Sequence, residues 1–119
     1  MDDRFWLFLD HLVSEHELVI DRPKGSHHPH FLKNEVVYPL NYGFLAGTSA
    51  ADGSGIDVWL GSSGERKVTA IQVTVDLLKK DTEIKILLGC TDHEIETADR
   101  FLNTGNMSAL SIKRSKEHP

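Results

Sequence analysis

Apolar and polar positions alternate through the middle of the chain and predict extended strands there. In 67–77, Ile71, Val73 and Val75 alternate with polar side chains, and 82–88 repeats the pattern. Successive side chains of a strand point to opposite faces, so a period of two is typical of a half-buried sheet. Shorter extended segments are predicted at 18–21, 36–38, 43–46, 56–60 and 109–114. A sheet is therefore expected to form most of the fold.

Helical spacing of apolar residues occurs in two places. A short helix is predicted within 3–14, with an apolar stripe formed by Phe5, Leu9, Leu12 and Val13. A second helix is predicted to start at Thr91, because Glu94 follows at the spacing of a capping box, and to end near Gly105. Its apolar stripe consists of Ile95, Ala98 and Leu102.

Several short strands, tight turns and two peripheral helices favour a mainly β fold, arranged as a small closed or partly open barrel. The length of 119 residues is usual for one domain. We predict a single domain over 1–119, in which 1–16 holds the N-terminal helix, 17–113 the barrel and second helix, and 114–119 a tail.

Composition argues against two classes of partner. The net charge of −5 disfavours nucleic acid, which is bound through dense Lys and Arg side chains. The longest apolar segments, 5–9 and 84–88, are far shorter than the roughly 20 residues that a membrane span requires, so no membrane is expected. An acidic N-terminus and the single Cys90 favour a cytoplasmic protein over a secreted one.

Acidic residues are predicted to gather on one face of the sheet. If the apolar residues of 56–60 face the core, alternation turns Asp57 the other way, and the same argument puts Asp76, Glu83 and Lys85 on that noncore side. Carboxylate oxygens are the ligands that Mg²⁺ prefers, and the bound ion can hold a phosphate. The alternative is that these residues are simply solvated positions on an outer face.

Two segments resemble the signature of the soluble inorganic pyrophosphatases. Residues 37–44, Val-Tyr-Pro-Leu-Asn-Tyr-Gly-Phe, are similar to that family's Tyr-Pro-x-Asn-Tyr-Gly run, and 52–58, Asp-Gly-Ser-Gly-Ile-Asp-Val, to its Asp-Gly-Asp-Pro-x-Asp-Val loop. Residues 19–26, Val-Ile-Asp-Arg-Pro-Lys-Gly-Ser, resemble its first strand and Glu-Ile-Pro-x-Gly-Ser turn, and 83–86 its Asp-x-Lys-hydrophobic strand. The chain resembles a shortened, divergent member of the family.

The resemblance implies a fold, a cofactor and a site. The fold would be an OB-like five-stranded barrel with helices outside, and the chain would form a homo-oligomer. Mg²⁺, with Mn²⁺ or Zn²⁺ as alternatives, would bind pyrophosphate or a related small phosphoanhydride and generate the attacking hydroxide. The implied metal ligands are Asp52, Asp57, Glu83, Asp76 and Asp21, and the implied substrate contacts are Tyr38, Tyr42, Lys85 and His30.

The chain departs from the family pattern where catalysis would need it most. Ser54 stands at the position of the family's catalytic acid, and a hydroxyl cannot serve as a base near neutral pH. Residues 30–32, His-Phe-Leu, replace a Lys-x-Glu motif, and the shorter segment before Tyr38 leaves out the hairpin that carries a phosphate-binding arginine. Losing one catalytic group costs about two to four decades in rate. Reduced or altered activity is therefore expected, with no residue assigned with certainty to catalysis.

Two other interpretations stay open. The fold can serve as a noncatalytic module that binds a phosphate compound or a metal ion, or it can act mainly as an assembly unit. The loop containing His27, His28 and His30 can bind a softer metal or phosphate, or it can be an ordinary polar surface loop.

Overall fold

The computed structural model describes residues 3–27, 36–50 and 53–115. These residues form two helices and six strands: α1 Arg4–Ser14, β1 Leu18–Arg22, β2 Asn41–Leu45, β3 Ile56–Leu60, β4 Val68–Asp76, β5 Asp81–Leu88, α2 Asp92–Leu102 and β6 Met107–Lys113. The prediction of a mainly β fold with two helices is confirmed.

All six strands belong to one sheet, in the order β1-β2-β3-β5-β4-β6. Neighbouring strands are antiparallel except β3 and β5, which run parallel with Trp59 opposite Leu87. This pairing arises because the β4–β5 hairpin docks through its second strand, while β4 and then β6 extend the sheet outward. The sheet has one strand more than the five that the resemblance implies.

One predicted strand is reduced to a short bridge in the described residues. Within 36–38, Val37 forms an isolated bridge with His27, and Tyr38 accepts the Gly25 amide at 2.8 Å and donates to the Ser26 carbonyl at 2.9 Å. Pro39 follows at once, and because proline has no N–H to donate to a ladder, it stops the pairing from extending.

Each face of the sheet carries its own apolar core. On the face covered by α1, called here the α1 face, the buried residues are Trp6, Val13, Leu45, Val58, Val68, Ile71, Ile86 and Leu88. On the opposite face, the α2 face, they include Tyr38, Tyr42, Trp59, Ala70, Leu87, Ile95 and Ala98. The sequence expectation of one core face and one noncore face is therefore wrong, because each covering helix shields part of one face.

Helix α1 is rotated relative to its predicted stripe. Trp6 is 3% exposed, whereas Phe5, which was assigned to the stripe, is 50% exposed and contacts the edge of the Trp6 ring. Asp10 fixes the helix on the sheet by accepting a hydrogen bond from the Val68 amide at 3.0 Å and pairing with Arg114 at 2.9 Å. This polar anchor and the size of the indole together explain the rotation.

Helix α2 begins with the predicted capping box, in which Thr91 and Glu94 bond each other's backbone amides. The helix ends at Leu102, earlier than Gly105 suggested, and Asn103 caps it: its backbone amide at 3.0 Å and its side-chain amide at 2.8 Å both donate to the Asp99 carbonyl. In the part of the chain that the structure describes, neither helix is both long and apolar enough to span a bilayer. The single-domain boundaries stay a prediction.

Candidate functional site

An open cavity of about 440 Å³ lies on the α2 face. Aromatic side chains of the core, among them Tyr38, Tyr42 and Trp59, line one part of it. Acidic residues outnumber basic ones among its charged lining residues, which are Asp21, Asp57, Asp76, Asp81, Glu83, Arg22, Lys79 and Lys85. The cavity thus joins an apolar wall to a strongly charged one.

Lys85 is the centre of a cluster formed with Tyr42, Asp57 and Glu83, called here the lysine cluster. Its Nζ donates to Asp57 Oδ2 at 2.8 Å, to the Tyr42 hydroxyl at 2.9 Å and to Glu83 Oε2 at 3.3 Å. The Tyr42 hydroxyl in turn donates to Asp57 Oδ2 at 2.6 Å. Parallel pairing of β3 with β5 brings Asp57 beside Lys85, and Glu83 follows the same face of β5.

Burial and neighbouring charges determine the protonation states of Lys85 and Tyr42. The Lys85 side chain is 8% exposed. Burial alone would lower the pKa of Lys85, but its contacts with Tyr42 and Asp57 outweigh burial and raise that pKa. Burial raises the pKa of Tyr42. Lys85 opposes this rise, and Asp57 adds to it. Lys85 is therefore a cation and Tyr42 a neutral donor at physiological pH.

The aromatic wall is held by a buried polar chain. Trp59 Nε1 donates to Gln72 Oε1 at 2.9 Å, and Gln72 Nε2 donates to Asp99 Oδ1 on α2 at 2.9 Å. The Ser111 hydroxyl on β6 donates to the same Asp99 oxygen at 2.6 Å. The Tyr42 and Trp59 rings meet edge to face with centroids 4.5 Å apart. The wall is thus tied to both β6 and α2.

Arg22 is a cavity residue that the sequence analysis missed. Its Nη1 donates to the Tyr38 hydroxyl. Its guanidinium lies 5.4 Å from the centre of the Tyr38 ring and 5.9 Å from that of Tyr42. The sequence did contain a signal for this residue. In the Asp-Arg-Pro segment of 21–23, Arg22 stands where the family's Glu-Ile-Pro motif has an apolar residue.

The structure brings most of the proposed site residues to this cavity. Tyr38, Tyr42, Asp57, Glu83, Lys85, Asp21 and Asp76 all line it. Asp21 is exposed at its rim. Asp76 uses Oδ1 to accept the backbone amides of Leu78 at 2.9 Å and Lys79 at 3.0 Å, so it also shapes the β4–β5 turn.

The other positions named in the sequence analysis are either outside the described residues or not among the residues that line the cavity. Asp52, His28 and His30 lie outside the described residues. Ser54 lies in an exposed bend, where its carbonyl accepts the Ala50 amide at 2.6 Å, and it is not among the residues that line the cavity. His27 is an exposed partner of Val37.

The carboxylates of the cavity fit Mg²⁺ in one mode of binding. Among 3–27, 36–50 and 53–115, no group of three or more His, Cys, Asp or Glu side chains is arranged to hold a metal ion. Mg²⁺ keeps several waters, however, and is commonly bound by one or two carboxylates together with substrate phosphates. Asp57 and Glu83 each contact Lys85 through one oxygen, which suits that mode. Zn²⁺ fits less well, because no described histidine lines the cavity.

Solved structures of three bacterial proteins have a similar fold. The inorganic phosphatase of Anaplasma phagocytophilum has a TM-score of 0.61 and 17% identity over 81% of both chains. The inorganic pyrophosphatase of Helicobacter pylori has a TM-score of 0.54 and 16% identity over 82% of this chain and 75% of its own. That of Neisseria gonorrhoeae has a TM-score of 0.53 and 17% identity, with 78% and 71% covered.

The sequence itself gives no such match. No protein-family model matches it, and no curated protein matches it significantly. Identities of 16–17% support the fold without extending to membership or activity. The chain has a pyrophosphatase-like fold, with a charged cavity on its α2 face.

Proposed function

We propose that this protein is a Mg²⁺-dependent hydrolase of pyrophosphate or a related small phosphoanhydride, with reduced or altered activity. The observation that carries the proposal is the lysine cluster, in which a buried ammonium and two carboxylates line an open cavity on a pyrophosphatase-like fold. A cytoplasmic location and the exclusion of nucleic acid and membranes as partners belong to the same proposal.

Phosphate binding is the role proposed for Lys85 and Tyr42. Both side chains are largely buried, and electrostatic attraction is stronger where water is excluded. Asp57 and Glu83 keep the ammonium in position. Tyr38 would complete the wall against which the anion rests. His30 stays a proposed contact on sequence grounds alone.

Metal binding is the second role proposed for Asp57 and Glu83, with Asp52, Asp76 and Asp21 as the further ligands that the sequence suggests. Bound Mg²⁺ would neutralise phosphate charge and activate water. Ser54 supplies no carboxylate to accept the proton of that water, so the rate is expected to lie about two to four decades below that of an enzyme with such a base.

Phosphate release with Mg²⁺, Mn²⁺ or Zn²⁺ across several anhydrides tests the proposal. Lys85→Met should abolish turnover, whereas Lys67→Met, at an exposed position away from the cavity, should leave it unchanged. Absence of turnover with every pair of metal and anhydride would remove the hydrolase proposal.

A noncatalytic binding module is the second candidate function. It is favoured by the hydroxyl of Ser54, which stands where the family has its catalytic acid, and by the mutual pairing of the charges in the lysine cluster. Calorimetry with Mg²⁺ and pyrophosphate distinguishes the candidates, since heat of binding without phosphate release supports the module. Asp57→Asn should weaken metal binding in either case.

Self-association is proposed from the uncovered part of the α1 face. Val75, Ile84, Leu110 and Ile112 are each 43–59% exposed on three adjacent strands. Neighbouring half-exposed apolar side chains form a patch of the kind that often serves an interaction. We propose a second copy of this chain as its partner, because these four side chains carry no charge and two copies can pair through them symmetrically despite the net charge of −5.

Sedimentation analysis tests the self-association. Leu110→Glu should dissociate the assembly to 13.3 kDa monomers, because two-fold pairing would bury two carboxylates in an apolar contact. Leu78→Glu is the matched control, since Leu78 is 78% exposed in the β4–β5 turn. A wild-type chain that stays monomeric at high concentration would contradict this proposal.

A further inference from the structure

A second cation faces the cavity and differs from Lys85 in how its charge is balanced. Lys85 Nζ lies 5.5 Å and the Arg22 guanidinium 5.9 Å from the centre of the same Tyr42 ring. Lys85 pairs with two carboxylates. Arg22 forms no ion pair with any carboxylate of the described residues, and its hydrogen-bond partner is the Tyr38 hydroxyl. Asp21 beside it acts only at longer range.

A β-bulge directs Arg22 toward this cavity. Ile20 pairs with Gly43 and Arg22 with Tyr42, so Asp21 is an extra residue in β1. In a regular ladder Asp21 would stand opposite Tyr42, and cross-strand partners share a face. The bulge therefore puts a guanidinium opposite Tyr42, while the carboxylate of Asp21 stays at the exposed rim of the cavity.

The side chain of Arg22 is held ready for an anion. Tyr38 is 4% exposed and packs on Phe101, with ring centroids 5.0 Å apart, so its hydroxyl is a fixed anchor. A guanidinium has five N–H donors in a planar fork, and the bond to Tyr38 uses one of them. The remaining donors suit bidentate recognition of phosphate oxygens. Stacking near two rings lowers the entropy that binding would cost.

We propose that Arg22 is an anion-binding residue of the cavity and takes one phosphate group of a diphosphate while Lys85 takes the other. The identity of the anion rests on the proposed function, but the role of Arg22 does not require hydrolysis. A purely structural role for Arg22 would affect the free energy of unfolding and leave anion affinity unchanged, so the two roles are separable.

Calorimetric titration of pyrophosphate with Mg²⁺, and of inorganic phosphate without metal, tests the proposal. Arg22→Gln should weaken pyrophosphate binding at least about tenfold, as expected for loss of charge-assisted hydrogen bonds. Arg22→Lys keeps the charge without the fork and should give an intermediate loss. Arg66→Gln removes the same charge from an exposed position that does not line the cavity, and it should bind like the wild type.

The outcomes separate this proposal from the hydrolase proposal. Equal affinity in Arg22→Gln and Arg66→Gln, or no anion binding by the wild type, would overturn the role of Arg22. Lost affinity in a chain that releases no phosphate would keep that role while the hydrolase proposal fails. Arg22→Lys serves as the second variant should Arg22→Gln unfold, because it keeps the charge and removes only the fork, and wild-type affinity in a folded Arg22→Lys chain would likewise contradict the bidentate role.

Discussion

The two faces of the sheet are made by the same strands, yet they are stabilised by different interactions. Along β5, Ile84 and Ile86 belong to the α1 face, while Glu83 and Lys85 belong to the α2 face. The α1 face has an apolar core that includes Trp6, and the α2 face combines an aromatic core with buried hydrogen bonds. Alternation alone thus separates the faces but does not say which face excludes water.

The difference teaches how charge can be kept inside such a small fold. Burying an ammonium is costly unless it is paired and hydrogen-bonded. Lys85 meets this condition with three polar partners, which come from β2, β3 and β5. On the α1 face, by contrast, removing an exposed apolar side chain should leave the fold nearly unchanged.

The largest expected effect is that of Lys85→Met. It leaves Asp57 and Glu83 as neighbouring carboxylates without their cation, and breaking a buried ion pair lowers the free energy of unfolding by about 3 kcal/mol. Lys79→Met, at the exposed cavity rim, should change it by less than about 0.5 kcal/mol. Urea unfolding measures both, and equal changes would contradict the buried, paired state of Lys85 that distinguishes the α2 face.

Asp99→Ala should give the second largest effect. It leaves the buried Gln72 amide without its acceptor, which costs about 2 kcal/mol. Glu96→Ala is the matched control on the exposed side of α2. Thermal unfolding followed by circular dichroism distinguishes them, and a loss of stability in Glu96→Ala alone would show that the buried chain is not needed.

The caps of the two helices sharpen the comparison further. Thr91→Ala should lower the free energy of unfolding by about 1 kcal/mol, whereas Asp3→Ala should lower it by almost nothing, because Asp3 makes no side-chain cap bond.

Burial would raise the pKa of Glu94, but hydrogen bonds from Thr91 and Ser62 outweigh it and lower that pKa from 4.5. The contribution of Glu94 is therefore full above pH 4.5 and is lost as the pH falls through the lowered value. In acid titrations of stability, Glu94→Gln should show a flatter curve.

The smallest expected effect on folding is that of Leu110→Ser on the uncovered α1 face. At 59% exposure, Leu110 contributes little to the core, so the free energy of unfolding of the monomer should change by less than about 0.5 kcal/mol. Urea unfolding at low protein concentration measures it. A loss comparable to that of Lys85→Met would mean that the patch is already covered within one chain.

The elements could be predicted from local patterns, and most were. The strand over 56–60 and the capping box at Thr91 follow from period and spacing, and both are present in the structure. The orientation of α1 could not be predicted, because the choice between Phe5 and Trp6 depends on the groove they meet. The parallel pairing of β3 with β5 depends likewise on how one hairpin docks on another.

The candidate site could be predicted in part. Alternation and the resemblance both pointed to Asp57, Glu83 and Lys85, which the fold brings into contact. Their roles in metal and phosphate binding stay predictions. Arg22 was missed because a bulge changes which residue faces a neighbour. An arginine at the apolar position of the Glu-Ile-Pro motif was a visible departure, but no local pattern in 18–22 indicates the bulge itself.

The parallel seam between β3 and β5 has a consequence for the order of folding. Each hairpin, β2–β3 and β4–β5, joins strands close in sequence, but the lysine cluster forms only across the seam. Loop closure delays distant contacts, so we expect the cavity to be completed late. Trp59 lies on this seam and is the only tryptophan left in a Trp6→Phe chain. In stopped-flow refolding of that chain, the fluorescence of Trp59 should change after the circular dichroism signal of the strands has appeared. The secondary structure would therefore form before the charged side chains of the cavity come together.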